Sequence, residues 1–268
     1  MFKLGKLLVL LQLLPFCLSA QGQELPYKVK AKTDIPITVG AIGLNVLGTY
    51  LILNEEKLTE ADLAKLRKDQ VNRFDRFAAG NFDPDAKQIS DFPFYGSFVL
   101  PLALLFDKDV QDNAPQVYLL YAETMSITGA MFSLTAGLTK RKRPNVYATH
   151  APLEERLHKY ATNSLYSGHT AATASATFFA AKVFHDFNPD SPARVYVWVA
   201  AALLPATVGY LRLKAGKHFL SDNIIGYTLG AATGILVPEL HKKQDQLGLY
   251  IHPVSGPYQG LALTYLIK

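Results

Sequence analysis

Apolar positions along this chain gather into six long runs, at 35–53, 92–106, 116–138, 164–184, 195–213 and 223–238, separated by polar segments. Each run is too long for an ordinary buried strand and reads as a helix. Between the first two, Leu58, Leu63, Leu66, Val71, Phe74 and Phe77 recur at near-helical spacing. This predicts one amphipathic helix, opened by a Thr59/Asp62 capping box. The stretch GNFDPDA that follows reads as a loop. The tail carries short β-like runs such as LALTYLI among Pro253, Gly256, Pro257 and Gly260, and predicts a small hairpin. The fold class expected is therefore all-α: a helical bundle of about six core helices with a short β-like C-terminal tail. The expected organisation is a leader at 1–20, N-terminal helices and a polar linker at 21–92, the core at 93–240 and the tail at 241–268. No internal repeat and no Gly-rich nucleotide loop is visible.

The leader changes the compartment expected. Lys3 and Lys6 precede an apolar stretch from Leu7 to Phe16, and Ser19-Ala20 offers small residues for cleavage. That is the pattern of a secretory signal peptide cut after Ala20. Cys17 is the single cysteine and lies within it, with Phe16 where a lipoprotein anchor would want a small residue. The processed chain would then carry no disulfide, no thiol nucleophile and no cysteine-based zinc site.

At 268 residues the chain can bury a large core. Hydrophobic residues make up 49% and charged residues 18%, with a formal net charge of +5. The basic balance points to anionic substrates or anionic lipid surfaces. It does not point to nucleic acid, because the basic residues are scattered and lack an aromatic-interleaved platform.

Three polar clusters sit at the ends of apolar runs. Lys140 to Pro144 follows the third, Ser167-Gly168-His169-Thr170 opens the fourth, and Arg212 to Asp222 joins the fifth to the sixth. Taken singly, they read as a helix end before a proline, a helix N-cap and a solvated helix end. An up-and-down bundle brings all three to the same end. Together they make a coherent set. Arg143 and Arg212 supply bidentate donors for phosphate oxygens. Ser167 and Gly168 open a helix, where free amides favour an anion and glycine permits close approach. His169 is placed to protonate a leaving alkoxide. His218 is the candidate nucleophile. Asp222, four residues on and on the same face if both are helical, is expected to orient it.

These blocks resemble those of the type 2 phosphatidic acid phosphatase and vanadium haloperoxidase superfamily over roughly residues 93 to 235. The third block of that family is met by Arg212, His218 and Asp222, with Leu211 in place of Ser. The second is met by Ser167, Gly168 and His169, with Tyr166 in place of Pro. The first is met by Arg143 and Pro144, but Ala136 stands where the family has lysine. Lys140, one helical turn further on, is the expected substitute. The resemblance implies a metal-independent phosphatase acting on phosphate monoesters or lipid (pyro)phosphates. In it His169 is the acid and His218 forms a phosphohistidine, with no cofactor; vanadate would fit as a phosphate mimic.

Three alternatives stand beside this reading: a vanadate-dependent haloperoxidase, a catalytically inactive membrane scaffold, and His218 with Asp222 as metal ligands. The site is expected outside the cytoplasm, on a protein that contacts the membrane. Whether the protein is integral or peripheral stays open, because the 92–106 run is short for a span. The oligomeric state is open as well.

Overall fold

The six apolar runs form six long helices in a computed structural model that describes residues 26–243, 249–254 and 260–265. In chain order the helices are α1 (Ala31–Leu53), α2 (Glu60–Ala64), α3 (Pro84–Val99), α4 (Lys108–Asp112), α5 (Ala114–Leu138), α6 (Leu153–Arg156), α7 (Gly168–Phe187), α8 (Ala193–Lys214) and α9 (Leu220–Leu240). A 3-10 segment, Leu100–Phe106, prolongs α3. The tail forms the expected hairpin: β1 (Leu249–Val254) pairs antiparallel with β2 (Gly260–Tyr265), Leu249 opposite Tyr265. Among the described residues the fold is all-helical apart from this hairpin and isolated bridges. The leader at 1–20, with Cys17, lies outside the described residues.

Local chemistry sets the helix starts. Asp83 accepts from the Ala86 amide at 2.9 Å and Pro84 occupies the first turn of α3, where a missing N–H costs nothing. Thr59 and Asp62 form the expected capping box at α2. The amphipathic helix expected from Leu58 onward nevertheless stops at Ala64. Asn72 and Asp75 close a local turn: the Asp75 amide donates to Asn72 Oδ1 at 2.9 Å, and Asn72 Nδ2 to Asp75 Oδ2 at 2.8 Å. Such side-chain bonds compete with a helical backbone. Leu63 and Val71 turn inward, whereas Phe74 and Phe77 stay exposed.

The bundle is organised around α7, which packs against α9, α8, α5 and α3. Close packing follows from small residues. Added Cβ atoms at Gly226, Gly230 and Gly234 of α9 would lie 2.5, 2.1 and 2.6 Å from the carbonyl oxygens of Ser167, Ala171 and Ser175. Residues four apart share one helix face, so this glycine stripe lets the two backbones touch. Gly48 serves α1 in the same way against Ser133 of α5.

Large apolar side chains face outward on α1 (Val39, Ile42, Val46), α3 (Phe92, Tyr95, Val99) and α8 (Val195, Tyr196, Leu203). Segments 31–53, 84–106 and 193–214 are long and apolar enough to cross a membrane. The protein is membrane-associated. The second candidate span is not short, as its sequence run implied: α3 starts at Pro84, ahead of the run, and with the 3-10 segment that prolongs it the apolar stretch reaches 23 residues. For the same reason the expected boundary at residue 92/93 falls inside α3 and does not separate two units.

Candidate active site

One end of the bundle collects the end of α5, the starts of α3, α7 and α9, and the end of α8. Between α5 and α6 the chain is extended at Thr139 and Arg143. It pairs with 161–164: the Arg143 amide donates to the Ala161 carbonyl at 2.8 Å, and the Ser164 amide to the Arg141 carbonyl at 2.9 Å. Extended backbone alternates its side chains, so Arg141 and Arg143 share one face. Arg143 Nε and Nη2 lie 3.4 and 3.3 Å from the Asn163 carbonyl. Burial first, and Arg212 second, push its guanidinium down to about 9.

The same alternation removes Lys140 from its expected role. The substitution required a helix running past Ala136, but α5 ends at Leu138 and Lys140 is exposed. The cation that does approach is Lys217, which is buried, pairs with Glu155 Oε2 at 2.7 Å and interacts with Arg143. Lys217, Glu155, Lys87, Asp91 and Phe82 line a polar pocket of about 290 Å³ at this end of the bundle.

His218 lies before α9 begins, in the turn after α8. Gly216 makes that turn with φ +69°, and an added Cβ would fall 1.8 Å from the Asn81 carbonyl. His218 is buried, and its Nδ1 lies 2.8 Å from the Ser164 carbonyl. A carbonyl only accepts, so Nδ1 carries the hydrogen, which leaves the Nε2 lone pair free in the neutral ring. Nε2 takes no hydrogen bond from any described residue. Burial, then Arg143 and Arg212, hold the ring well below the usual imidazole range and therefore neutral.

Asp222 is not the partner expected for His218. Because His218 is outside the helix, the shared-face geometry does not arise. Asp222 instead accepts from Arg141 Nη1, from Ser164 Oγ at 2.6 Å and from the Phe219 amide at 2.8 Å. It holds the residue whose carbonyl orients His218, and so acts one step removed. Arg141 bridges it to buried Asp75, with Nη2 2.6 Å from Asp75 Oδ2, and Asp75 accepts from the Ser221 amide and hydroxyl at 3.0 and 2.6 Å. The pairing with Arg141 also removes Asp222 as a metal co-ligand of His218.

Ser167 is buried and spends its hydroxyl on the N-cap of α7, 2.8 Å from Thr170 Oγ1 and 3.4 Å from the Thr170 amide. The N-cap reading is realised in this hydroxyl. At Gly168 an added Cβ would meet the Phe132 ring at 2.7 Å, so helix packing alone already requires glycine. His169 stacks on Phe94 at 4.0 Å between ring centroids, and its Nε2 lies 3.5 Å from Asp91 Oδ1. Burial, then Arg212 and Arg143, lower it to about 2. Arg212 is buried, with Nη1 3.3 Å from Ser90 Oγ and 3.8 Å from Asp91 Oδ1. Its buried Nε has no hydrogen-bond partner among the described residues. An anion seated there would satisfy it.

Sequence reasoning brought Arg143, His169, Arg212 and His218 to one site, and here they perturb one another electrostatically. It missed Asp75, Asp91, Phe94, Arg141, Ser164 and Lys217. The basic knot held a signal for Arg141, since extended alternation pairs 141 with 143. Nothing local marked Asp75 or Asp91.

One end of this helical bundle thus brings together two arginines and two imidazoles held neutral by burial and by those arginines. The sequence model of the PAP2 superfamily matches residues 117–246. Over those residues the chain is similar to that superfamily, the type 2 phosphatidic acid phosphatases. It is similar to a crystal structure of a transmembrane PAP2-type phosphatidylglycerolphosphate phosphatase from Bacillus subtilis, at 18% identity and a TM-score of 0.45, over 76% of this chain and 93% of that one. No curated protein matches the chain.

Proposed function

We propose that the protein hydrolyses lipid phosphate or pyrophosphate esters, without a metal, through a phosphohistidine at His218. The observation that carries this reading is the His218 ring itself: buried, neutral, fixed at Nδ1 by Ser164 and open at Nε2 between two arginines. Nε2 attacks phosphorus and the bond to the leaving oxygen breaks. His169 Nε2 gives that oxygen a proton. Water then attacks phosphorus, the phosphorus–nitrogen bond breaks with its electron pair returning to His218 Nε2, and His169 takes the water's proton, which restores both rings. His169 resists protonation while two arginines face it; a phosphate dianion offsets their charge and lets it carry the proton it must deliver. The exported leader expected at 1–20 supports a site outside the cytoplasm.

A second feature supports a lipid substrate. An apolar groove of about 960 Å³ runs between α3, α7 and α8, lined by Pro93, Gly96, Leu100, Ala180, Phe184 and Leu204. Its lining nearest the site is Pro93 of α3 and Thr177 of α7, the latter about 12 Å along α7 from His169, and it opens between two of the candidate spans. An acyl or prenyl chain fits it. Gly96 offers a clean test, because an added Cβ meets nothing within 4 Å. Gly96→Leu is expected to lower kcat/KM for long-chain phosphatidate about 10-fold by displacing roughly two methylenes, at ~0.8 kcal/mol each. It should leave a six-carbon phosphate ester unaffected. Equal effects on both would remove the groove from substrate binding.

The reading as a whole is tested with detergent-solubilised protein in EDTA, offered phosphatidate, a polyprenyl pyrophosphate and a soluble aryl phosphate. Phosphate release from the lipids, inhibited by vanadate, is expected. Absence of release from every substrate would overturn the proposal. Lys217 takes the place that Lys140 was expected to fill. Lys217→Ala should cut kcat/KM about 10-fold or more, the loss of one charge-assisted contact worth ~1.5–3 kcal/mol, and Lys140→Ala should leave it unchanged. The reverse pattern would restore Lys140.

A further inference from the structure

A second cluster of ligating side chains lies at the other end of the bundle. Asp34 in the first turn of α1, Glu123 in α5 and His241 at the end of α9 converge, with one ligand atom from each within 4.8 Å of the others. His241 Nε2 is 3.6 Å from Asp34 Oδ1 and 3.8 Å from Glu123 Oε2, beyond hydrogen-bond range. Its Nδ1 lies 2.8 Å from the Val237 carbonyl, which only accepts. Nδ1 therefore carries a hydrogen, and Nε2 is the nitrogen that faces the carboxylates. An imidazole held through its far nitrogen by a backbone carbonyl is the usual outer support of a metal-bound histidine. Asp34 has comparable support: Oδ2 accepts from the Lys30 amide at 2.6 Å and Oδ1 from Thr33 Oγ1 at 2.7 Å.

Glu123 supplies the independent observation. Its side chain is 4% exposed, it is the one charged residue of α5, and Oε2 has no hydrogen-bond partner among the described residues. A buried carboxylate oxygen without a donor is costly. It points into the same small space as His241 Nε2.

We propose that Asp34, Glu123 and His241 bind one divalent zinc-class ion that staples the start of α1 to α5 and to the end of α9. One nitrogen and two carboxylate oxygens suit zinc better than calcium, which takes oxygen alone, or copper(I), which prefers sulfur. Tetrahedral ligands at about 2.0–2.1 Å stand roughly 3.3 Å apart, so the two spacings from His241 need to close by a few tenths of an ångström and no pair by more than about 1.5 Å. The surrounding chain is already drawn together here. The Lys28 amide donates to the His241 carbonyl at 2.6 Å, and the Lys243 amide to the Pro26 carbonyl at 3.0 Å. The ion is structural and takes no part in hydrolysis: at about 1.5 Å per residue, α9 sets His241 roughly 30 Å from His218.

A metal-free arrangement, an imidazolium between two carboxylates, would use the same residues, and zinc binding separates the two. The full chain in detergent is stripped with EDTA, freed of chelator and titrated calorimetrically with ZnCl₂, with MnCl₂ in parallel, followed by thermal unfolding of each sample. One zinc per chain and a raised Tm are expected. Glu123→Gln and His241→Gln should each weaken binding at least about 100-fold, whereas His169→Ala and His218→Ala should leave it intact, which excludes the catalytic histidines as the source. If a glutamine variant does not fold, Glu123→Asp keeps the charge but withdraws the ligand atom, and should weaken binding in the same way. No uptake of either metal by the stripped protein, or uptake unchanged in the folded variants, would overturn the proposal. Phosphatase activity is not a readout, so the proposal stands or falls independently of the hydrolytic one.

Discussion

His218→Ala is expected to lower phosphate release by at least about 10⁴-fold, the scale on which loss of a nucleophile acts, without lowering stability by a similar measure. Among the described residues the ring makes one hydrogen bond, at Nδ1 to the Ser164 carbonyl, and that carbonyl has a second lone pair for water. In the proposed mechanism catalysis, by contrast, loses the atom that attacks phosphorus. Measuring kcat in EDTA beside a thermal melt separates the two effects. A variant that melts normally and keeps a tenth of the wild-type rate would remove His218 as nucleophile. The neutral state of the ring adds a sign. Burial and two arginines depress it, so Nε2 keeps its lone pair as pH falls through the usual imidazole range. The acid limb of kcat/KM should therefore lie below about 6.5, the unperturbed histidine value.

Asp222→Ala should cost about 3–5 kcal/mol of stability, because it leaves buried donors without an acceptor at ~1–3 kcal/mol each, while Arg141 keeps its second partner, Asp75. Three donors lose their acceptor at once: Arg141 Nη1, Ser164 Oγ and the Phe219 amide that opens α9. The same substitution releases Ser164, whose carbonyl sets the His218 ring, so kcat should fall along with stability. Asp222→Asn keeps one acceptor oxygen and the volume, and should recover part of the stability. Denaturant unfolding in detergent and kcat for both variants form the check. Full activity in a folded Asp222→Ala protein would show that the Ser164 carbonyl holds His218 without help.

Much of this architecture was legible in the chain. The six apolar runs became the six long helices because their length and composition leave no other economical way to bury them. Thr59 with Asp62 built the capping box, since that motif needs only neighbours in sequence. Arg143, His169, Arg212 and His218 met at one end because alternating helix direction fixes which run ends lie together. What failed was geometry that assumed continued helix. Lys140 and Asp222 were both assigned by a one-turn spacing, but α5 stops at Leu138 and α9 starts at Leu220. The amphipathic pattern from Leu58 likewise gave way to the Asn72–Asp75 turn.

The amino-acid sequence by itself thus determined the long helices, which run ends meet at one end of the bundle, and the candidate residues for a phosphate site. Only the tertiary structure decided their partners. Asp75 reaches Ser221, Asp91 reaches His169, and Ser164 holds His218, across separations that leave no periodic trace in the chain. Asp34, Glu123 and His241 likewise come from three distant segments. Periodicity records which face of a helix is buried. It carries no record of which buried polar groups meet, because that depends on how whole helices pack against one another.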